Sequence, residues 1–192
     1  MDPAQQRVYH VTHIRNLELV LESGLLSASA TPTVDVSSPL TRELRYTAEV
    51  VPTRSVANHV PFYLTPTATL WTDLLSGAHD ETRWSAAARA AASVDFVVLV
   101  TTVAALGPDA VVADGDAAAS LTRFATGDEI ARALTRLHDS DRWEGAEVLA
   151  FDSVPFDAIQ LIGVANDRVR DRVRALTGTK VAVYPPWFLP TE

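Results

Sequence analysis

The sequence predicts an α+β fold, and three observations lead there. Residues 95–102 (Asp-Phe-Val-Val-Leu-Val-Thr-Thr) form a nearly unbroken apolar run, the pattern of a strand buried on both faces. Shorter strand-like segments at 8–12 and 59–65 stand among amphipathic helical segments. The two kinds of element follow one another without a regular βαβ repeat, which separates the chain from the doubly wound sheets.

Taken in order, residues 8–12 read as a strand. Asn16 is placed to cap a helix whose apolar stripe is Leu17, Val20 and Leu21 and which Gly24 ends. Residues 27–58, with Pro32, Pro39 and Pro52, have little periodicity and read as a long loop around a short helix at 40–46, the kind of loop that is usually functional. A strand at 59–65 precedes helices at 67–76 and at the alanine-rich stretch 82–92. After the buried strand, Asp114-Gly115 signals a turn. Residues 117–124 and 128–138 read as helices. Strands are expected at 147–151 and 159–164 with a turn at Pro155 between them, then a helix rich in Arg and Asp at 166–176 and a last strand at 180–184. There is no internal repeat.

The length, 192 residues, suits one domain, with a core at about 8–164 and a C-terminal helix and strand at 165–192. Apolar residues make up 47% of the chain, and the longest apolar run is far shorter than the roughly 20 residues of a membrane helix. The N-terminus, Met-Asp-Pro-Ala-Gln-Gln-Arg, lacks the apolar core of a signal peptide, so a cytoplasmic protein with no membrane partner is expected. Without cysteine there are no disulfides and no thiolate metal sites. His59, His79 and His138 have no metal-ligand spacing, and neither GxGxxG nor a P-loop is present. The net charge is −8, from 16 Lys and Arg against 24 Asp and Glu, and Lys180 is the one lysine. That balance excludes tight non-specific nucleic-acid binding over a dense basic surface, but leaves room for a local arginine-lined groove.

Chemistry-bearing residues gather in three segments. His10 and Thr12, two apart, share one face of a strand, and His13 falls where strand gives way to helix. In Val60-Pro61-Phe62-Tyr63-Leu64, Phe62 and Leu64 take one face and Tyr63 the other. Glu147 opens a strand and shares its face with Leu149 and Phe151, so desolvation is expected to raise its pKa, as for a general base. Singly, each residue has a plain structural reading: His10 as a hydrogen-bonded core histidine, Tyr63 as packing, Glu147 as an edge-strand solubiliser, Arg42 and Arg45 as solvated loop charges. Their joint occurrence in this order favours a site.

That order resembles the DarT family of DNA ADP-ribosyltransferase toxins. The resemblance rests on Tyr9-His10-Val11-Thr12-His13-Ile14-Arg15-Asn16-Leu17, Glu22-Ser23-Gly24-Leu25-Leu26, Val60-Pro61-Phe62-Tyr63, Asp114-Gly115-Asp116-Ala117-Ala118 through Leu121-Thr122-Arg123-Phe124, and Ala146-Glu147-Val148-Leu149. It implies the split β-sheet core of ADP-ribosyltransferases with surrounding helices, NAD in a central cleft, and no metal. Carried over, His10 and Thr12 contact the nicotinamide-side ribose and amide, His13 and Asn16 line the NAD pocket nearby, and Tyr63 forms the wall against nicotinamide. Glu147 falls on the catalytic glutamate. Arg45, five residues before Val50, stands where the family has its catalytic arginine, with Arg42 as the alternative in a shifted register. Residues 114–124 correspond to a segment that folds over NAD and helps form the nucleic-acid groove.

The implied activity is transfer of ADP-ribose from NAD to a nucleobase, first of all thymidine in single-stranded DNA, by a toxin paired with a macrodomain antitoxin. One departure bears on the acceptor. Where the family has a Pro-Arg-Ser segment after the Tyr63 strand, this chain reads Thr65-Pro66-Thr67-Ala68-Thr69-Leu70-Trp71. Together with the acidic balance, it keeps another base, RNA or protein open as acceptors, and with them a non-catalytic NAD-binding module.

Overall fold

The computed structural model describes residues 2–28, 30–77, 81–140 and 142–190; His79 lies outside them. In chain order the elements are β1 (Arg7–His13), α1 (Leu17–Ser23), β2 (Leu25–Leu26), α2 (Pro39–Thr47), β3 (Glu49–Val51), β4 (Arg54–Ser55), β5 (His59–Tyr63), α3 (Thr69–Leu75), α4 (Ala86–Ala90), β6 (Phe96–Thr102), β7 (Val111–Ala113), β8 (Phe124–Thr126), α5 (Glu129–His138), β9 (Glu147–Phe151), β10 (Ser153–Val154), β11 (Leu161–Val164), α6 (Asp167–Arg174) and β12 (Val181–Val183). Among the described residues, eight strands make one sheet in the order β12-β11-β6-β1-β5-β9-β7-β8, while β2–β10 and β3–β4 form two small pairs. Among the described residues every strand pairing is antiparallel except β11–β12.

The sheet is divided down its middle. β1 pairs with β6 along its whole length, from Arg7↔Thr102 to His13↔Phe96, but meets β5 at the single position Tyr9↔Tyr63. Past that point a side chain replaces the ladder: the His10 imidazole Nδ1 lies 2.8 Å from the Pro61 carbonyl oxygen. The two halves, β12-β11-β6-β1 and β5-β9-β7-β8, therefore part on one side of the tyrosine pair, and backbone that would otherwise be sealed in a ladder faces a cleft.

Alternation along the strands builds a core on each face. Val8, Val60, Phe62, Val97, Leu99 and Val148 pack with Leu17 and Val20 of α1, Leu134 and Leu137 of α5, and Val169 and Val173 of α6. The opposite residues of β6, Phe96, Val98 and Val100, pack with Trp71 of α3, Ala88 of α4 and Phe188. β6 is buried at all seven positions, as its apolar run requires. A third cluster, Val56, Val111, Ala113, Ala117 and Leu149, lies under the β3–β4 hairpin.

The C-terminal segment packs on this core. Trp187 stacks on Tyr184 at 4.1 Å between ring centroids, meets Tyr9 edge-on at 5.6 Å, and accepts a 2.6 Å hydrogen bond on its carbonyl from Trp71 Nε1. Its ring lies over Gly163, where an added Cβ would come within 2.6 Å of ring carbon.

Three sequence expectations change. Residues 117–124 are not a helix: Asp116 Oδ1 accepts from the Ala118 amide at 2.9 Å, the Asp116 carbonyl accepts from the Thr122 hydroxyl at 2.6 Å, and Asp114 Oδ1 accepts from the Arg123 amide at 2.8 Å. These local bonds offer the backbone partners that outcompete a helical ladder, in spite of three alanines. Phe124 instead begins β8. The helix at 82–92 shrinks to Ala86–Ala90, started by Ser85, whose hydroxyl accepts from the Ala88 amide at 3.1 Å. Asn16 stands at the start of α1 without a side-chain cap bond; a 3-10 turn at Ile14–Asn16 precedes the helix, and His13 caps that turn through its Nδ1, 3.1 Å from the Arg15 amide.

Substituting Gly163→Ala is expected to push Trp187 off the sheet. The ring is held from both sides, so overpacking of about 1–3 kcal/mol follows, or roughly 2–4 °C in Tm per kcal/mol for a chain of this size. Thermal unfolding followed by tryptophan fluorescence checks it; an unchanged Tm would show that the C-terminal segment yields freely.

Candidate active site

The register of the sheet brings the site together. Tyr63 pairs with Tyr9 on one side and with Glu147 on the other, and Glu147 pairs in turn with Ala113. Residues directly opposite in adjacent strands point to the same face, so Tyr63 and Glu147 stand side by side next to the split. Glu147 is fully buried. A carboxylate in that position needs a cation, and α2 supplies it. Arg45 Nη2 donates to Glu147 Oε1 at 3.1 Å and to Oε2 at 3.2 Å. The Arg45 side chain keeps 11% of its exposure against 1% for Glu147, and it lines the cleft, so the guanidinium stands between the carboxylate and the cleft.

The electrostatics follow from burial. Desolvation raises the Glu147 pKa, the Arg45 charge and hydrogen bonds oppose it, and the Asp116 charge adds to it; the net direction is upward. For Arg45, burial works to lower the pKa, but Glu147 and Asp116 outweigh it and the guanidinium stays charged. Burial, with the Glu147 charge, also raises the Tyr63 phenol, which stays neutral.

His10 lines the other wall of the cleft. Burial lowers its pKa, only partly offset by the Pro61 carbonyl. A carbonyl can only accept, so Nδ1 carries the proton and Nε2 remains an acceptor. Thr12 and Asn16 also line the cleft and are linked, with Asn16 Nδ2 donating to Thr12 Oγ1 at 3.1 Å. The same amide clamps the segment that follows β2: it donates to the Val34 carbonyl at 2.9 Å and accepts from the Val34 amide at 2.7 Å. His13 is placed differently. Besides its capping role it packs edge-on against Phe96, 5.6 Å between centroids, and is not part of the cleft lining.

α2 is attached by its polar face. Leu40 and Leu44 are more than 40% exposed, and the helix has no buried residue. Its inward contacts are Thr41 to the Thr82 carbonyl at 3.0 Å, Arg42 to Asp35 and to the Ala28 carbonyl at 3.2 Å, and Arg45 to Glu147. Arg42 and Arg45 both line the cleft, but Arg45 alone of the two bonds to Glu147.

Two further cleft residues had no individual role in the sequence reading, though Asp116 belongs to the 114–124 segment expected over NAD. Asp116 enters from the segment after β7, and Arg83, from the segment before α4, is ion-paired to it. The signal for Arg83 was an Arg-Trp dipeptide directly ahead of a helix-capping serine, masked by the alanine run behind it. Among the described residues, no group of three or more His, Cys, Asp or Glu could hold a metal ion, and no helix is long and apolar enough to cross a membrane.

A family model described as "ssDNA thymidine ADP-ribosyltransferase, DarT" matches residues 9–189. The chain belongs to the DarT family. It is thus an NAD-dependent ADP-ribosyltransferase. Its fold is that of solved DarT structures. The Thermus sp. 2.9 DarT in complex with ADP-ribosylated ssDNA is 23% identical with a TM-score of 0.78, over 96% of this chain and 97% of that one. The same protein in complex with NAD+ gives 23% and 0.75, over 97% and 99%. The Thermosipho africanus DarTG in complex with ADP-ribose gives 20% and 0.75, over 95% of this chain and 51% of that one. No curated protein sequence matches the chain.

The raised Glu147 pKa makes a linkage prediction. A carboxyl whose folded pKa lies above its unfolded value is ionised first in the unfolded chain, so stability falls as pH rises from the ordinary glutamate value through the folded one. Wild type is therefore expected to lose stability relative to Glu147→Gln as pH is raised from about 4 toward neutrality, in paired urea unfolding series. A wild type that gains on the variant over that window would show that Arg45 dominates over burial.

Proposed function

We propose that this chain transfers ADP-ribose from NAD to thymidine in single-stranded DNA, and that it acts as the toxin of a toxin–antitoxin pair whose macrodomain partner removes the mark. The family supports the reaction, the complexes formed by the solved relatives support donor, acceptor and pairing, and the observation that carries the site assignment is the Arg45–Glu147 pair beside the split between β1 and β5. One sheet built from residues 7–183 supports reading the chain as a single domain, and a DNA acceptor supports a cytoplasmic location.

In this reading NAD lies across the cleft between His10 and Tyr63. The His10 Nε2 lone pair and the Thr12 hydroxyl engage the nicotinamide-side ribose and the amide, Asn16 holds Thr12 and the 34-segment in place, and Tyr63 stacks on nicotinamide. His13 supports the strand end. The C1′–N bond breaks with its electron pair going to nicotinamide, which leaves neutral. The ribose centre then carries oxocarbenium character, and the Glu147 carboxylate stabilises it. The attacking base nitrogen forms the new bond to C1′, and its proton passes to Glu147. Burial makes that carboxylate a stronger base than an exposed one, and the Arg45 charge and hydrogen bonds oppose its protonation. Arg45 also presents its fork to the donor or acceptor.

Radiolabelled NAD with oligonucleotides tests this. Label is expected in single-stranded DNA containing thymidine, with Glu147→Gln lowering the rate by about 10²–10⁴-fold and Arg45→Gln costing more than Arg42→Gln. Equal labelling by wild type and Glu147→Gln would remove Glu147 from the reaction. Label in RNA or protein and none in DNA would reassign the acceptor.

A further inference from the structure

Among the described residues three arginines line the cleft, and each is held by a carboxylate: Arg45 by Glu147, Arg42 by Asp35 and Arg83 by Asp116. They differ in access. The Arg45 side chain retains 11% exposure, Arg42 retains 29%, and Arg83 retains 40%. Arg45 is thus set deep against the catalytic carboxylate, and Arg83 is at the rim.

The rim position is built. The Arg83 carbonyl accepts from the Ser38 amide at 3.0 Å and from the Thr41 hydroxyl at 3.2 Å. Trp84 bridges to Ser37, and the Ser85 amide donates to the Val36 carbonyl at 3.1 Å. Asp116 is fixed as well, its Oδ1 bound by the Ala118 amide at 2.9 Å. The backbone at residue 83 is anchored while its guanidinium remains open to solvent, close enough to the site to act on both Glu147 and Tyr63. With the Arg83 side chain 40% exposed, solvent screens the pair, so another anion can exchange for the carboxylate. A backbone phosphate can do so: like the carboxylate it replaces, it carries a full charge and matches the planar fork with two parallel hydrogen bonds. With a net charge of −8, the chain has no general attraction for a nucleic acid, and its hold on one must come from such local contacts.

We propose that Arg83 is a positioning residue for the acceptor, binding a backbone phosphodiester of the single strand after leaving Asp116. Its place at the rim, outside Arg45, assigns it to the acceptor strand rather than to the diphosphate of NAD. Asp116 is a resting partner, which holds the guanidinium at the mouth of the cleft until the strand arrives. The inference rests on the acceptor reading above.

The test measures binding of a fluorescent thymidine-containing oligonucleotide across a salt series, without NAD, and then steady-state KM for oligonucleotide and for NAD. Loss of one phosphate contact is expected to flatten the slope of log affinity against log salt by about 0.7 for a single strand. For Arg83→Gln we expect that flattening, and a rise of about tenfold in oligonucleotide KM, with a much smaller change in kcat. Arg83→Lys restores the slope, since it restores the charge. Asp116→Asn keeps the acceptor for the Ala118 amide, removes the carboxylate charge that competes with the strand for Arg83, and tightens oligonucleotide binding. An unchanged slope and KM in Arg83→Gln overturns the proposal, and so does a rise confined to the KM for NAD. Binding is read without turnover, so a wild type that binds the strand but transfers no label contradicts the proposed function, while the salt slope still decides for or against the Arg83 contact.

Discussion

A carboxylate buried with no access to water is the constraint around which this molecule is arranged. Glu147 sits at the start of a central strand, flanked by Tyr63 and Ala113 and with Leu149 on the same face. Left alone it would take up a proton. Arg45 opposes that, and because an unpaired buried charge is strongly unfavourable, the two side chains fix each other's positions. The demand reaches back to α2, which turns Thr41, Arg42 and Arg45 inward and leaves Leu40 and Leu44 in solvent. A helix attached in this way has little apolar contact to hold it, which is the character of elements that adjust when a ligand binds.

The same economy shows at the split. Strands β1 and β5 part after one pair, and past it the Pro61 carbonyl is met by a side chain instead of a strand neighbour. His10 takes the Pro61 carbonyl and is thereby locked in one tautomer, with an acceptor left over. Asn16 does for the 27–38 segment what a strand neighbour would do, giving and taking one backbone bond at Val34. Fold and site are thus made from the same polar groups, so that opening the sheet and equipping the cleft are a single structural event.

This explains which parts could be read from sequence. The strands β1, β5, β6 and β9 announce themselves by apolar content and alternation, and with them come the positions of His10, Tyr63 and Glu147. What pattern reading misplaced lies where polar bonds override it. The alanines after Asp116 suggest a helix, yet two aspartates capture the backbone first. Asn16 stands at a helix start but spends its amide on a distant loop, so the cap passes to His13. The three-residue strand β7 is too short to show a period. The contact between Arg45 and Glu147, 102 residues apart, has no local signature; only the family resemblance pointed to Arg45. Arg83 carried no such pointer, and its place at the rim follows from the hydrogen bonds of Ser38 and Thr41 to its own segment.

The central claim is that the Arg45–Glu147 pair marks the reacting end of a dinucleotide cleft. A crystal structure of this chain with a non-cleavable NAD analogue tests it most directly. The expected result is nicotinamide against Tyr63, the ribose within hydrogen-bond reach of His10, and C1′ next to the Glu147 carboxylate, with Arg45 drawn aside. An analogue seated elsewhere, or one bound in the cleft with Glu147 still sealed behind Arg45 and remote from C1′, would contradict it.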